Sequence, residues 1–500
     1  MLLSPDRWIK RIPRAAWISA YLALVTTGLS LLFSGWAYDD PFITYRYAEN
    51  LSRGLGLVYN PGEPRLSTTT PLFALLLAVF HPIWPDLHGL AVFIGAFSLA
   101  AGGLFLWDLL GSPGARFSRW AGLLFYPLFP LAASTLSSET PLYLALCLGA
   151  FASYRRRYYR LAALSAGLAA LARPDGVLVA AILGLHYLWS QRPKPGQRRQ
   201  WLTGLPWQAL LIYLGIGLSW VAFAWVAYGS PIPLTLFAKQ QQAAVIGSQA
   251  FLPGLLTIDD WYSSWLYQLQ AAIALPGLLF GLIRLPPLRW LAAWTALYFA
   301  SYSLLGVNRY FWYYAPLVPL FLLSFGCGLD GISKLLQRIR TNKVTTEVVT
   351  TINTIIRWLP GAVMILLLVV QAGKLWEMHL HPDARYPIYR AVGDWLQENT
   401  PPDSWVGTIE VGIIGYYSQR PMVDFAGLIQ PDIAQQLGLS HSYDGAALWA
   451  VAHYPVDTLV VHLDMRTLLD ADNVSRCQHQ VTFPGADYGY SHDLGIFACP

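Results

Sequence analysis

Trp36-Ala37-Tyr38-Asp39-Asp40-Pro41-Phe42-Ile43-Thr44-Tyr45-Arg46-Tyr47-Ala48-Glu49-Asn50 follows directly on an apolar run from Ala15 to Gly35. A helical run of that length spans the roughly 30 Å hydrocarbon core of a bilayer, so Asp39 and Asp40 stand where the chain leaves the membrane. Two carboxylates in that position are costly unless they meet water, a cation or a substrate. A water-exposed helix end is the plain account of the pair, and a reaction centre is the other. Neighbouring helical residues project about 100° apart, so the two acids cannot address one atom; one acts and the other supports.

The rest of the chain agrees with a membrane setting. Its 500 residues are 55% hydrophobic and only 12% charged, with a mean hydropathy of +0.42, which leaves too little polar surface for a soluble multidomain protein. No A-x-A cleavage pattern follows the first apolar run, which is therefore read as a retained span and not a signal peptide. Basic residues fall in alternate loops: Arg7, Lys10, Arg11, Arg14; Arg116, Arg119; Arg155, Arg156, Arg157, Arg160; Arg192, Lys194, Arg198, Arg199; Arg284, Arg289; and Lys334, Arg338, Arg340, Lys343, Arg357. These are 21 of the 33 Lys and Arg, accompanied by only Asp6, Asp108, Asp330 and Glu347 of the 28 Asp and Glu. The positive-inside rule then puts the N-terminus in the cytoplasm and the Asp39-Asp40 pair outside, in a multi-pass protein of the cell (inner) membrane. The basic clusters are short and flank membrane segments, which argues against nucleic acid as a partner.

The apolar pattern predicts about 11 transmembrane helices, near residues 15–36, 87–110, 119–136, 141–154, 161–172, 177–190, 205–228, 262–283, 290–306, 311–329 and 358–373. Residues 37–86 form the first external loop; its apolar run from Pro71 to Trp84 is too short to cross and is expected to lie in the interface. Beyond Glu377 the sequence turns polar and acidic. Ile388, Val392, Trp395 and Leu396 share a helical face, and Trp405–Val411, Pro421–Phe425 and Asp457–Leu463 read as strands. The fold expected is a polytopic α-helical membrane domain over 1–375 followed by an extracytoplasmic α/β domain over 376–500. Cys147 and Cys327 fall in spans, whereas Cys477 and Cys499 fall in the external domain, either bonded or free.

Spans four to six are too short to reach the outer interface, so Glu139, Arg173 and Asp175 at their ends would sit at membrane depth. Irregular, charged backbone at that depth is tolerated only inside protein or beside water, and the inference is a wet cleft facing the side of Asp39 and Asp40. Arg173 is read either as part of that chemistry or as the structural partner of Asp175. Lys239 and Arg309 emerge at the same level, where snorkelling to lipid phosphates is the ordinary alternative. Trp36, Tyr38 and Trp312 read as interfacial belt residues. The histidines show no H-x₃-H or HExxH spacing, which gives little support to a dedicated transition-metal site.

Asp39 to Leu51, with Gly54, Gly56, Asn60-Pro61-Gly62 and Thr70-Pro71-Leu72, resembles the first external loop of GT-C fold glycosyltransferases related to mycobacterial arabinofuranosyltransferases. Glu139-Thr140-Pro141-Leu142, Arg173-Pro174-Asp175-Gly176 and Pro231-Ile232-Pro233 through Ala238-Lys239 resemble further motifs of that group, and the external domain is similar only around Glu410 to Leu428. More distant relatives by architecture are protein mannosyltransferases and aminoarabinose transferases of lipid A. The resemblance implies an inverting transfer of a sugar from a polyprenyl-phosphate donor to a glycan, lipid or protein acceptor. Asp39 would be the base, Asp40 and Glu139 would orient acceptor or base or share a divalent cation, and Arg46, Arg173, Asp175, Lys239 and Arg309 would bind substrate, Lys239 and Arg309 by stabilising the charge that grows on the departing lipid phosphate. No soluble cofactor is implied. A ligase or polymerase of lipid-linked oligosaccharides, a transporter or flippase, and a sensor whose helices only anchor a ligand-binding external domain are the competing classes; the last leaves the recessed charges unexplained.

Overall fold

The computed structural model describes residues 13–111, 115–191, 205–262, 265–339, 347–472 and 474–500. The basic residues Arg7, Lys10, Arg11, Arg192, Lys194, Arg198, Arg199, Arg340 and Lys343 lie outside the described residues. The chain is a multi-pass helical membrane protein with a small C-terminal sheet. Among the described residues, six stretches are long and apolar enough to cross a membrane: Arg14–Leu32, Leu87–Leu109, Trp207–Tyr228, Trp265–Arg284, Phe311–Leu336 and the run Trp358–Asn399. Only 11% of the most apolar window of Trp207–Tyr228 is covered by protein, so most of that helix is left to lipid.

Pro286–Leu305 is of similar length but less apolar, and Thr140–Arg155, Tyr159–Ala172 and Val177–Ser190, the three whose length suggested a recess, are shorter. The expected span over 119–136 is instead broken into Arg116–Trp120, a π-helical turn at Ala121–Phe125 and a short turn at Pro130–Ala133. A π turn displaces backbone partners, and the buried Gln371 amide supplies one by donating to the Phe125 carbonyl at 2.7 Å. Helices Trp265–Arg284 and Val318–Ile339 pack backbone to backbone: a Cβ on Gly277 would lie 2.0 Å from the Ser324 carbonyl oxygen. That small-residue seam is how helices associate where lipid removes the hydrophobic drive.

The first loop is not loop throughout. Asp40–Ser52 forms a helix with Pro41 at its start, and every residue from Pro41 to Asn50 is buried. Its polar sequence does not mark a burial partner because that partner lies more than 300 residues away. Phe42, Tyr45, Tyr47 and Tyr59 share one apolar core with Ile388, Val392, Leu396, Ile413, Ile414 and Met422 of the C-terminal region. Asn60 completes the join by donating to the Met422 carbonyl and accepting from its N–H, both at 3.0 Å. The Tyr59 hydroxyl donates to Val411 O at 2.5 Å.

The C-terminal sheet has the order β2-β1-β3-β5-β4, with β1 Val406–Thr408, β2 Met422–Asp424, β3 Thr458–His462, β4 Gln478–Phe483 and β5 Leu494–Ala498. β1 runs parallel to both β2 and β3, while β5 is antiparallel to β3 and β4. Helix Arg385–Asn399 covers it with Ile388, Val392 and Leu396 fully buried, on the face read from the sequence. β4 and β5 were not among the expected strands. Cys477 and Cys499 are bonded, tying the start of β4 to the end of β5, and Cys147 and Cys327 are free and buried. Alkylation of the denatured, unreduced chain is expected to label two thiols; labelling of four would contradict the bond. Cys477→Ser should lower stability by about 2–4 kcal/mol, read as an earlier thermal unfolding transition.

Candidate functional site

Asp39 and Asp40 diverge as adjacent helix-start residues must. The Asp39 carboxylate accepts N–H bonds from Gly412 at 2.9 Å and Ile413 at 2.7 Å, the first groups of helix Ile413–Ser418. Gly412 is required by that approach, since a Cβ there would lie 2.0 Å from the Asp39 carbonyl oxygen. Burial and the neighbouring Glu410 carboxylate hold Asp39 well above the usual carboxylate range, overriding the two N–H bonds that pull it down. Two accepted bonds leave further lone pairs on the carboxylate of this half-buried residue.

Asp40 turns the other way and pairs with Lys239 Nζ at 2.7 Å. Lys239 comes from helix Thr235–Ala243, which is hooked to the first loop by the Leu234 N–H donating to Leu66 O at 2.9 Å. Its ammonium lies 4.2 Å from the centre of the Tyr310 ring and 5.3 Å from that of Trp312. Tyr310 and Tyr38 both stack on Trp312, with ring centres 4.5 and 4.8 Å away. Tyr38 and Trp312 are thus not belt residues facing lipid. They are buried at 2% and 8% exposure as part of an aromatic floor, and the Trp36 indole donates inward to Ser134 O at 3.0 Å. Lys239, its side chain 8% exposed, does not snorkel.

The second cluster is built by prolines. Pro174 disfavours helical backbone at the residue before it, and Arg173 accordingly leaves helix Tyr159–Ala172 with φ −154° and ψ 140°. Its guanidinium meets Asp175 at 3.1 Å, Glu139 at 3.4 Å and the Tyr302 hydroxyl oxygen at 2.6 Å. Both readings of Arg173 therefore apply, since it partners Asp175 and reaches Glu139 as well. The two clusters share a wall: the Tyr313 ring centre lies 6.0 Å from Lys239 Nζ and 5.6 Å from Arg173 Cζ. Asp40 and Glu139, the candidate ligands of a divalent cation, each carry a side-chain cation instead. They do not form a three-ligand group among the described residues.

Arg46 and Arg309 are not brought into this arrangement by their described contacts. Arg46 is buried on the first-loop helix near Tyr59, Glu49 and Tyr416, and its Nε and Nη1 have no hydrogen-bond partner among the described residues. Arg309 is exposed, its stem lying over Gly254 and its N–H donating to Gln249 O at 2.8 Å. The residue not anticipated is Glu410, two positions beyond the end of β1, beside Arg385 and Tyr389 and close enough to Asp39 and Asp40 to repel both. β1 lies between β2 and β3, so Glu410 occupies the point where chain connections depart to either side, the usual ligand position of parallel sheets. A lone acid after a three-residue strand carries no periodic signal; the strand order alone reveals it.

Residues 377–492 match a family described as a domain of unknown function, DUF8728. No curated protein matches the chain by sequence. Among solved structures, ArnT from Cupriavidus metallidurans bound to undecaprenyl phosphate is 13% identical over 97% of this chain and 98% of its own, with a TM-score of 0.60. The oligosaccharyltransferase of Archaeoglobus fulgidus in complex with zinc and sulfate is 14% identical over 92% of this chain and 71% of its own, with a TM-score of 0.57. These likenesses run over nearly the whole length of the chain, which has the GT-C fold.

Proposed function

We propose that the chain is an inverting glycosyltransferase that moves a sugar from a polyprenyl-phosphate donor to a hydroxyl of a glycan, lipid or protein acceptor on the extracytoplasmic side of the cell membrane. The observation that carries the reading is the assembly of Asp40–Lys239 and Glu139–Arg173 around one aromatic wall, next in the chain to Asp39, which is held by the Gly412 and Ile413 N–H groups. The fold supports it, and the ArnT complex with undecaprenyl phosphate supports a polyprenyl-phosphate donor. The Cys477–Cys499 bond supports an oxidising compartment for the C-terminal domain.

In this reading Asp39 takes the proton of the acceptor hydroxyl as its oxygen forms a bond to the anomeric carbon. The bond from that carbon to the phosphate oxygen breaks, and the electron pair leaves with the lipid phosphate. A base held above the usual carboxylate range is matched to that task better than an ordinary aspartate. Lys239 turns from Asp40 to the phosphate and meets the charge growing on it, an interaction strengthened by the ring-lined, poorly solvated surroundings. Glu139 and Asp175, fixed by Arg173, hold sugar or acceptor hydroxyls. Arg309, exposed and next in sequence to Tyr310, is assigned to the rim where the lipid phosphate enters, and Arg46 to support of the first-loop helix.

Asp39→Asn is expected to lower transfer from labelled polyprenyl-phosphate sugars by about 10²–10⁴-fold; unchanged turnover would refute the base assignment. Lys239→Ala should lose about 10²–10³-fold, with Lys239→Arg recovering part, and the loss should fall on donor and not acceptor use. The protonated base is inactive, so activity falls as pH drops through the raised Asp39 pKa. Removing the negative neighbour with Glu410→Gln lowers that pKa, so the acidic limb of the kcat/KM profile should move to lower pH. A limb that stays in place would separate Glu410 from the reacting carboxylate.

A further inference from the structure

His462 ends β3, Asp464 follows in the turn, and His492 immediately precedes the lead-in to β5. One ligating atom from each lies within 4.8 Å of the other two, and His492 Nδ1 is 2.9 Å from Asp464 Oδ2. The two imidazole rings are 5.1 Å apart, both half-buried, with Asp464 exposed beside them. None of the three is close in sequence to a second ligand at a recognised motif spacing; the antiparallel pairing of His462 with Leu494 brings the two segments together. We propose that His462, Asp464 and His492 form a binding site for a divalent transition-metal ion, zinc by its ligand set, in the C-terminal domain.

The chemistry of the donors favours this class. Two imidazoles and one carboxylate suit Zn²⁺, Co²⁺ or Ni²⁺ in preference to Mg²⁺ or Ca²⁺, which take oxygen ligands, and three protein donors leave one tetrahedral position for water. The backbone around them is already set. Leu463 N–H donates to Asp493 O at 3.0 Å, Met465 N–H to His462 O at 3.0 Å, and Gly485 N–H to Asp493 Oδ1 at 2.8 Å. Binding therefore orders three side chains and not two loops, which keeps its entropic cost low.

The site also has a line to the reacting region. The Tyr490 ring lies 5.9 Å from His462 and 5.6 Å from His492, and its hydroxyl is 2.9 Å from that of Tyr389, the neighbour of Glu410. An ion clamping the β3 turn to the β5 lead-in would fix Tyr490, and through it Tyr389 beside Glu410. Its role is structural positioning, and its existence does not depend on the transferase reading.

The test uses the full chain, purified in detergent through a tag free of histidine and stripped of metal. Titration with Zn²⁺ alone by calorimetry, and with Co²⁺ followed by its visible absorption, is expected to give one saturable equivalent and a rise in melting temperature. Asp464→Asn, at an exposed position, and His492→Gln should each weaken binding by at least about tenfold and abolish the thermal shift while leaving the metal-free melting temperature near that of the parent chain. Absence of saturable binding, or binding by both variants as tight as by the parent chain, would overturn the site.

Discussion

The contact on which the site depends is the one the Asp39 carboxylate makes across the join between the two parts of this molecule. Asp39 leaves the first span and is received by two N–H groups at the start of a helix some 370 residues later, so neither the first loop nor the C-terminal domain completes that contact alone. Charge-assisted bonds of this kind are among the stronger ones, and the shared core of Phe42, Tyr59, Ile388, Ile413 and Met422 keeps water from competing for them. The same contact buries Asp39 in the neighbourhood of Glu410, and burial first and repulsion second raise its affinity for a proton. A structural clamp and a tuned carboxylate are thus one feature.

The second constraint is geometric. Because Asp40 cannot share a target with Asp39, it is free to hold Lys239 over the Tyr310 and Trp312 rings, while prolines at 141 and 174 end or start short helices so that Glu139, Arg173 and Asp175 meet. Opposite charges are supplied in pairs from distant segments, which limits the cost of burying each. Three carboxylates, Asp40, Glu139 and Asp175, share two side-chain cations, Lys239 and Arg173, and a charged substrate group would have to exchange partners with them.

Much of this was legible in residues whose chemistry is local. The divergence of the two acids, the shortness of the helices around Glu139 and Arg173, the face of Arg385–Asn399 and the contrast between the two pairs of cysteines all follow from spacing or position along the chain. What was not legible depends on long-range pairing. The helix at Asp40–Ser52 looks like a polar loop until its partner domain is present, and Tyr38 and Trp312 look like belt residues until they stack. Glu410 and the His462–Asp464–His492 group appear only once the strand order is known. Arg46, read alongside the others, is directed elsewhere by the helix turn that carries it, toward Tyr59, Glu49 and Tyr416.

The most direct test is an experimental structure of the full chain with a non-hydrolysable polyprenyl-phosphate sugar. The account predicts phosphate oxygens within hydrogen-bond distance of Lys239 Nζ, and the anomeric carbon between that phosphate and Asp39. A donor lodged away from Asp39 and Lys239, for instance in the cavity of about 660 Å³ lined by Arg157, Arg160, Trp207 and Gln208, would contradict it.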